Sequence, residues 1–146
     1  MSVLVDTNVL LRLAQPNHRQ YQAATDGVAR ARLAGETLCV TPQNVAEFWA
    51  AATRPVGAAN SLGLTAAAVA AEIGTIERLF QLAADDPAIY PIWKGLVATH
   101  RVLGAQVYDA RLVAAMSVHG IGRILTFNVA DFSRYGVVVL HPAAMP

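Results

Sequence analysis

The stretch Val3-Leu4-Val5-Asp6-Thr7-Asn8 decides the fold class, because an apolar run leads directly into a carboxylate. Three consecutive apolar residues before a polar turn are typical of a short strand buried on both faces of a parallel sheet. Asp6 stands where that strand ends, and it is also a favoured N-cap for a helix beginning at Thr7. In an open parallel sheet, ligands bind beyond the carboxyl ends of the strands. The segment therefore predicts an α/β fold with a polar site at Asp6.

Three further acids lie in equally apolar surroundings. They are Glu47 within Asn44-Val45-Ala46-Glu47-Phe48-Trp49, Asp109 within Val107-Tyr108-Asp109-Ala110, and Asp131 shortly after Ile124-Leu125-Thr126-Phe127. A buried, unpaired carboxylate is costly, so acids in such segments need a hydrogen-bond donor, a cation or a metal. No lysine is near any of the four in sequence. If the fold gathers them, a hard cation such as Mg²⁺ or Mn²⁺ is the ordinary compensation for their repulsion.

The composition is that of one compact domain. The chain has 146 residues, 55% of them hydrophobic and 14% charged, and its net charge is +1. This length supports one complete core and is short for two, so residues 1–146 are expected to form a single domain. Cys39 is the only cysteine, which excludes a disulfide framework. Without a signal-peptide pattern or an apolar run of about 20 residues, the chain is expected to be cytoplasmic, with no membrane partner.

Strands and helices are predicted to alternate along most of the chain. Apolar runs bounded by turn residues predict strands at 3–5, 37–40, 123–127 and 136–140. Apolar residues at helical spacing, with caps and terminators, predict helices at 7–14, 19–33, 42–53, 66–83, 89–102 and 106–119. The glycine-containing segment 56–63 is predicted to be a loop. Strands separated by helices imply a parallel sheet with helices on both faces.

Helical spacing places two of the acids on inward faces. Asp109 shares a face with Leu112 and Met116, which predicts that it points toward the sheet, and Glu47 lines up with Asn44. Asp6 and Asp131 each follow a predicted strand. All four acids are therefore expected to converge on one pocket at the carboxyl edge of the sheet.

Each acid also has an ordinary structural explanation. Asp6 can be an N-cap alone, or a cap and a ligand together. Glu47 can pair at the surface with Arg54 or Arg12, and Asp109 can pair with Arg111 or another arginine. The turn at 128–131 fits an N-cap followed three positions on by an acid. It is the joint occurrence of the four acids that favours a functional site.

Other chemistries have weaker support in the sequence. A phosphoacceptor receiver domain needs a late lysine, and the only lysine, Lys94, falls in a predicted helix. No glycine-rich phosphate loop is present for a nucleotide. The histidines have no local partner that would make a catalytic pair, and they are interpreted as structural. They are His18, His100, His119 and His141.

Four segments resemble the acidic motifs of PIN domains, in the same order and at similar intervals. They are Val3-Leu4-Val5-Asp6-Thr7-Asn8, Thr41-Pro42-Gln43-Asn44-Val45-Ala46-Glu47-Phe48-Trp49, Tyr108-Asp109-Ala110-Arg111-Leu112-Val113-Ala114-Ala115 and Leu125-Thr126-Phe127-Asn128-Val129-Ala130-Asp131-Phe132. At this length the chain is similar to the VapC-type toxins of bacterial type II toxin–antitoxin modules. The resemblance implies a three-layer, Rossmann-like fold and an Mg²⁺- or Mn²⁺-dependent ribonuclease.

The resemblance also implies roles for individual residues. Asp6, Glu47 and Asp109 would bind the metal and serve catalysis. Some relatives have an acid where this chain has Asn128, so either Asn128 or the later Asp131 would complete the shell. Among the neighbours, Thr7 and Asn8 would orient Asp6, and Thr126 would bond a ligand or water.

The partners implied by the resemblance are an RNA substrate, a second copy of the chain, and a small antitoxin that lays an apolar helix in a groove. The residues themselves add one expectation. Phe48 and Trp49 are adjacent on one predicted helix and cannot both face the core, so a large aromatic is expected at the surface. Two alternatives to a ribonuclease remain: a metal-dependent deoxyribonuclease, and a catalytically silent PIN fold used for interaction.

Overall fold

A computed structural model describes residues 1–58 and 61–145. The strands are β1 (Ser2–Val5), β2 (Thr37–Val40), β3 (Gln81–Leu82), β4 (Arg123–Leu125) and β5 (Val138–Leu140). The α-helices are α1 (Thr7–Leu13), α2 (Tyr21–Leu33), α3 (Pro42–Thr53), α4 (Ala66–Leu79), α5 (Ile89–Thr99) and α6 (Gln106–Val118). The loop predicted at 56–63 includes residues 59 and 60, which lie outside the described residues.

The sheet is parallel throughout, with strand order β3-β2-β1-β4-β5. Its central strand β1 places Leu4 opposite Cys39 of β2 and Ile124 of β4. Val3, Leu4 and Val5 are fully buried, as a central parallel strand requires. Both neighbours of β1 were predicted strands, so the predicted α/β class is confirmed.

Two apolar cores lie on opposite faces of this sheet, because successive strand residues point to opposite sides. Val3 and Val5 belong to a core that includes buried residues of α1, α2, α3 and α4. Leu4, the residue between them, belongs to a second core with Leu112 and Met116 of α6. The architecture is therefore three-layered, with helices on both faces as predicted.

Helix caps form largely where the sequence predicts them. Thr41 caps α3 through a reciprocal capping box with Asn44, and Pro42 occupies the first helical position, where a missing N–H costs nothing. Thr65 accepts a hydrogen bond from the Ala68 amide and begins α4. The Thr41 cap fixes where α3 leaves the carboxyl end of β2.

Strand β3 was not predicted, and its residues were wrongly assigned to the end of a helix reaching residue 83. Helix α4 ends at Leu79, and Gln81 and Leu82 pair with Cys39 and Val40. Both β3 residues are exposed, so they carry no alternating apolar pattern. Helix α5 also ends earlier than predicted, at Thr99, with Arg101 in a left-handed conformation at φ 51°.

The expectation of a surface aromatic on α3 is confirmed. Phe48 is fully buried, whereas the neighbouring Trp49 is 38% exposed. No helix within the described residues is both long and apolar enough to cross a lipid bilayer.

Candidate active site

A pocket of about 700 Å³ lies beside the carboxyl end of β1. All four acids singled out in the sequence line it: Asp6, Glu47, Asp109 and Asp131. Thr7, Asn8 and Asn128 also line it. The pocket is thus placed where ligands bind in open parallel sheets, and none of the four histidines lines it.

Asp6 is the most firmly held of the acids. It is 6% exposed, and its backbone amide donates to the Leu125 carbonyl of β4 at 3.0 Å. One carboxylate oxygen accepts from the Thr7 amide at 2.8 Å, which is the capping interaction of α1. The other accepts from Thr126 Oγ1 at 2.7 Å and from Asn8 Nδ2 at 3.2 Å. Asp6 is therefore both a helix cap and a member of the pocket.

Thr126 has a different place from the one expected. It is fully buried, and its hydroxyl bonds to the Asp6 carboxylate and accepts from the Asn128 amide at 3.0 Å. Asn8 Nδ2 also donates to this hydroxyl at 3.1 Å. Thr126 thus orients Asp6 together with Asn8, and it does not line the pocket.

Glu47 is positioned by polar neighbours on α1 and α3. Thr7 Oγ1 donates to Glu47 Oε2 at 3.1 Å and itself accepts from the buried Asn44 Nδ2 at 3.1 Å. Gln43 Nε2 donates to Glu47 Oε1 at 2.7 Å. The alternative pairing of Glu47 with Arg54 or Arg12 is not found, because the described ion pairs do not include Glu47.

Gln43 is a site residue that the sequence reading missed. Its amide nitrogen donates to the Tyr108 carbonyl at 2.8 Å as well as to Glu47, and its amide oxygen accepts from Arg111 Nη1 at 3.1 Å. One side chain therefore joins α3 to the first turn of α6. Its spacing of four residues before Glu47 was the available signal.

Asp109 occupies the first turn of α6 and is half-buried. Unlike Asp6, it accepts no side-chain hydrogen bond from the described residues. The alternative in which Arg111 neutralises it fails, because Arg111 instead pairs with Asp85 at 3.3 Å. Leu112 and Met116 on the same helix are buried as predicted.

The pKa of Asp6 is raised from 3.8 to about 6, mainly by burial and to a smaller extent by the negative charges of Glu47 and Asp131. The hydrogen bonds from Thr126 and Thr7 oppose this rise, because they favour the charged form. Protonated Asp6 is thus accessible close to neutral pH when no cation is bound.

The pKa of Asp109 rises further, from 3.8 to about 7. Burial is the largest cause, followed by the negative charges of Asp6, Asp131 and Glu47, while the positive charge of Arg134 lowers it. Each acid in the pocket therefore makes ionisation of Asp109 harder. A bound cation would reverse this effect by favouring all of the carboxylates in their charged form.

The chemistry of these donors fits a hard divalent cation, which prefers carboxylate and other oxygen ligands. Within the described ranges, however, no three acidic, histidine or cysteine side chains stand close enough together to hold one ion. The four carboxylates lie around the pocket without meeting at one point. Side-chain rotation would be needed to bring them onto one cation.

The family model of the PIN domain matches residues 3–138, and the chain belongs to that family. PIN-domain nucleases hydrolyse nucleic acid and generally depend on a divalent metal, so the family and the site together define a nuclease class. A search of curated proteins found no significant match.

Solved structures of toxin–antitoxin proteins share the fold. VapC20 of Mycobacterium tuberculosis, described as a toxin that cleaves the sarcin-ricin loop, is 18% identical, with a TM-score of 0.69 and 99% of each chain covered. FitAcB of Neisseria gonorrhoeae is 19% identical, with a TM-score of 0.64, and the match covers 99% of this chain and 100% of that chain. VapBC2 of Rickettsia felis, bound to promoter DNA, is 10% identical, with a TM-score of 0.68 and coverage of 97% and 98%. At these identities the likeness concerns the fold.

Proposed function

We propose that the chain, as one PIN domain spanning residues 1–146, is a metal-dependent endoribonuclease and the toxin of a toxin–antitoxin pair. The observation that carries the proposal is the gathering of four carboxylates in one pocket. Two of them have pKa values raised to about 6 and about 7, a pattern typical of functional sites. Mg²⁺ or Mn²⁺ is the proposed cofactor.

A divalent cation at this site would generate a hydroxide nucleophile, neutralise non-bridging phosphate oxygens and stabilise the leaving 3′ oxygen. The protein supplies the ligands and their orientation. Asp6, Glu47, Asp109 and Asp131 are the proposed metal-binding and catalytic acids. Thr7, Asn8 and Thr126 hold Asp6 and Glu47 through the hydrogen bonds described above, which limits the reorganisation needed on binding.

Arg54 lines the same pocket and is exposed, so its guanidinium is available to a phosphate of the substrate. Water attack on phosphorus would leave a 5′ phosphate and a 3′ hydroxyl. Since none of the histidines lines the pocket, a mechanism that uses the 2′ hydroxyl with a histidine pair has no support.

The test is a cleavage assay on single-stranded RNA and on DNA of the same sequence, with and without Mg²⁺ or Mn²⁺. Asp6→Asn is the inactive variant, and Asp26→Asn on α2, whose carboxylate bonds only Gln22 among described side chains, is the matched control. RNA cleavage that requires metal and is lost only in Asp6→Asn supports the proposal. Cleavage of DNA alone would establish the deoxyribonuclease, and no cleavage of either would favour the silent interaction module.

We also propose a small antitoxin as partner, and a homodimer. An apolar groove of about 310 Å³ runs between α1, α2 and α4 and is suited to an apolar helix of a partner. Its lining includes Leu10, Val28, Phe48, Ile76 and Phe80. A structure described as a toxin–antitoxin complex, from Klebsiella pneumoniae, has a similar fold.

Light scattering at micromolar concentration measures the proposed dimer, and co-purification with the product of a small neighbouring gene measures the partner. Ala29→Asp, at an exposed position in the lining of the groove, places a charge there without disturbing the core, and it should abolish co-purification while the purified toxin still cleaves RNA. A monomer that captures no such product would contradict this part of the proposal.

A further inference from the structure

An aromatic surface adjoins the acidic pocket. Tyr90 of α5 and Tyr108 of α6 are 64% and 60% exposed, and both line a cavity of about 380 Å³ together with Trp93. The ring centroids of Tyr90 and Trp93 lie 6.1 Å apart, with 35° between the ring planes. We call Tyr90, Trp93 and Tyr108 the aromatic patch. Large rings left this exposed mark a site of interaction more often than an isolated apolar residue does.

Hydrogen bonds hold the Trp93 ring and the Tyr108 backbone of the aromatic patch in place before any ligand binds. Trp93 Nε1 donates to the Val107 carbonyl at 2.8 Å, which joins α5 to the first turn of α6. The Tyr108 carbonyl accepts from Gln43 Nε2 at 2.8 Å. Because these contacts already restrict the indole and the backbone, stacking on the patch would lose little conformational freedom.

The patch is continuous with the acidic pocket. Tyr108 lines both cavities, and the residue that follows it is Asp109. Arg111 lines the cavity of the patch and donates to Gln43, which in turn donates to Glu47. If one phosphate of a nucleic acid lies in the acidic pocket, a neighbouring nucleotide is therefore within reach of the aromatic patch.

The charges at the patch suit a base better than a phosphate. Arg111 is paired with Asp85 at 3.3 Å, so its charge is partly neutralised. Asp86 also lines the cavity, and one of its carboxylate oxygens accepts from the Ala88 amide at 2.8 Å. The acid repels a phosphate, while its other oxygen can accept from an exocyclic amino group of a base.

We propose that the aromatic patch is a nucleobase subsite, on which an unpaired base of single-stranded RNA stacks beside the phosphate that is cut. The proposal deepens the ribonuclease function and rests on it. Stacking on aromatic side chains is the usual way in which proteins recognise unpaired RNA bases. Tyr90 and Tyr108 would then help to determine where the RNA is cut.

Tryptophan fluorescence tests binding apart from cleavage. The chain has two tryptophans, so Trp49→Phe leaves Trp93 as the only one. In this background an adenosine RNA octamer is titrated in Ca²⁺ buffer, and a gel of the same samples verifies that the RNA is intact. Stacking should quench Trp93, and Tyr90→Ala or Tyr108→Ala should weaken binding about tenfold.

Three controls make the result specific. Tyr90→Phe and Tyr108→Phe keep the rings and should restore affinity, and Leu33→Ala, a change at an 88% exposed apolar residue at the end of α2, should leave it unchanged. Thermal melts recorded by circular dichroism verify that each variant is folded. The same variants are then assayed for RNA cleavage in Mg²⁺.

Unchanged affinity in both alanine variants would overturn the subsite. Equal binding of a DNA octamer would overturn its assignment to RNA. A loss of dimer mass in Tyr90→Ala with unchanged RNA affinity would overturn it in favour of a protein interface. If the wild type fails to cut RNA but shows ring-dependent quenching, the subsite stands and the ribonuclease function fails. If the wild type cuts and both alanine variants bind and cut equally well, only the subsite fails.

Discussion

Asp6 and Asp109 line one pocket but are held in different ways. Asp6 ends a central strand, is 6% exposed and accepts hydrogen bonds from Thr7, Asn8 and Thr126. Asp109 lies on a helix and is half-buried, and its carboxylate accepts none from described side chains. Yet the pKa of Asp109 is the higher, about 7 against about 6. Donors, and not burial alone, thus decide how readily an acid in this pocket ionises.

The largest effect is expected on RNA cleavage. The Asp6 and Asp109 variants should lose cleavage alike but should differ in the stability of the folded protein. Asp6→Asn and Asp109→Asn should each lower RNA cleavage by about a thousandfold or more, because each removes a charge that holds the metal. In the presence of a chelator, Asp109→Asn should hold or raise the melting temperature, because it relieves repulsion without breaking a hydrogen bond. Asp6→Asn should lower the melting temperature, because its amide nitrogen would face the hydrogen-bond donors that the carboxylate accepts from. This mismatch should reduce the free energy of unfolding by about 1–3 kcal/mol. Melting curves beside cleavage assays measure both.

An unfolded Asp109→Asn, or a folded one that still cuts RNA at the wild-type rate, would remove the catalytic assignment of Asp109. Asp26→Asn serves again as the control for an aspartate outside the pocket.

The second prediction concerns the fourth acid. Asp131 raises the pKa of both Asp6 and Asp109, so its charge lies close to both. Asp131→Asn should therefore lower Mn²⁺ affinity or cleavage by about a hundredfold, and the uncharged, exposed Asn128 should matter much less when changed to alanine. Calorimetric titration of the two variants with Mn²⁺ compares them. A larger loss in Asn128→Ala would assign Asn128 to the metal shell instead.

The third prediction concerns pH. Both raised pKa values lie above 3.8, so as pH rises from about 4 to about 7 the unfolded chain releases its protons before the native one does. The raised pKa values of Asp6 and Asp109 therefore stabilise the metal-free protein most at acid pH, and this contribution falls as pH rises. Because solvent screens the half-buried Asp109 and reduces its contribution, urea unfolding in chelator should give a free energy lower at pH 8 than at pH 5 by on the order of 2 kcal/mol.

The double variant Asp6→Asn/Asp109→Asn lacks both groups, so it should lose most of this dependence on pH. An equal dependence in wild type and double variant would show that other groups cause it. Addition of Mg²⁺ at pH 8 should restore stability to the wild type only.

The smallest effect is expected at Thr126. Thr126→Val keeps the side-chain volume but removes the hydroxyl that donates to Asp6 Oδ2 at 2.7 Å. The Asp6 carboxylate, which is buried, then has one hydrogen-bond donor fewer. Unfolding free energy should fall by about 1–2 kcal/mol and Mn²⁺ affinity by about tenfold. Thr25→Val on α2, where the hydroxyl is buried without a described partner, is the matched control and should cost less. Equal losses in the two variants would contradict a positioning role for Thr126.

Sequence reading succeeds here where a pattern is local. The strand ending at Asp6, the start of α3 at residue 42 and the exposure of one large aromatic on that helix all follow from neighbours within a few residues. It fails where contacts join distant segments. The two exposed residues of β3 carry no pattern, and the bond from Thr126 to Asp6 depends on pairing of β1 with β4. The link of Gln43 to Tyr108 likewise depends on how α3 meets α6.

The edges of the sheet have a consequence for self-association. Strand β3 has two residues and β5 has three, so each edge offers few unpaired N–H and C=O groups to a strand from another molecule. Edge-to-edge polymerisation needs a long template of such groups. The short edges therefore disfavour growth of the sheet across molecules, and they leave helix faces and grooves as the surfaces through which this chain can meet other proteins.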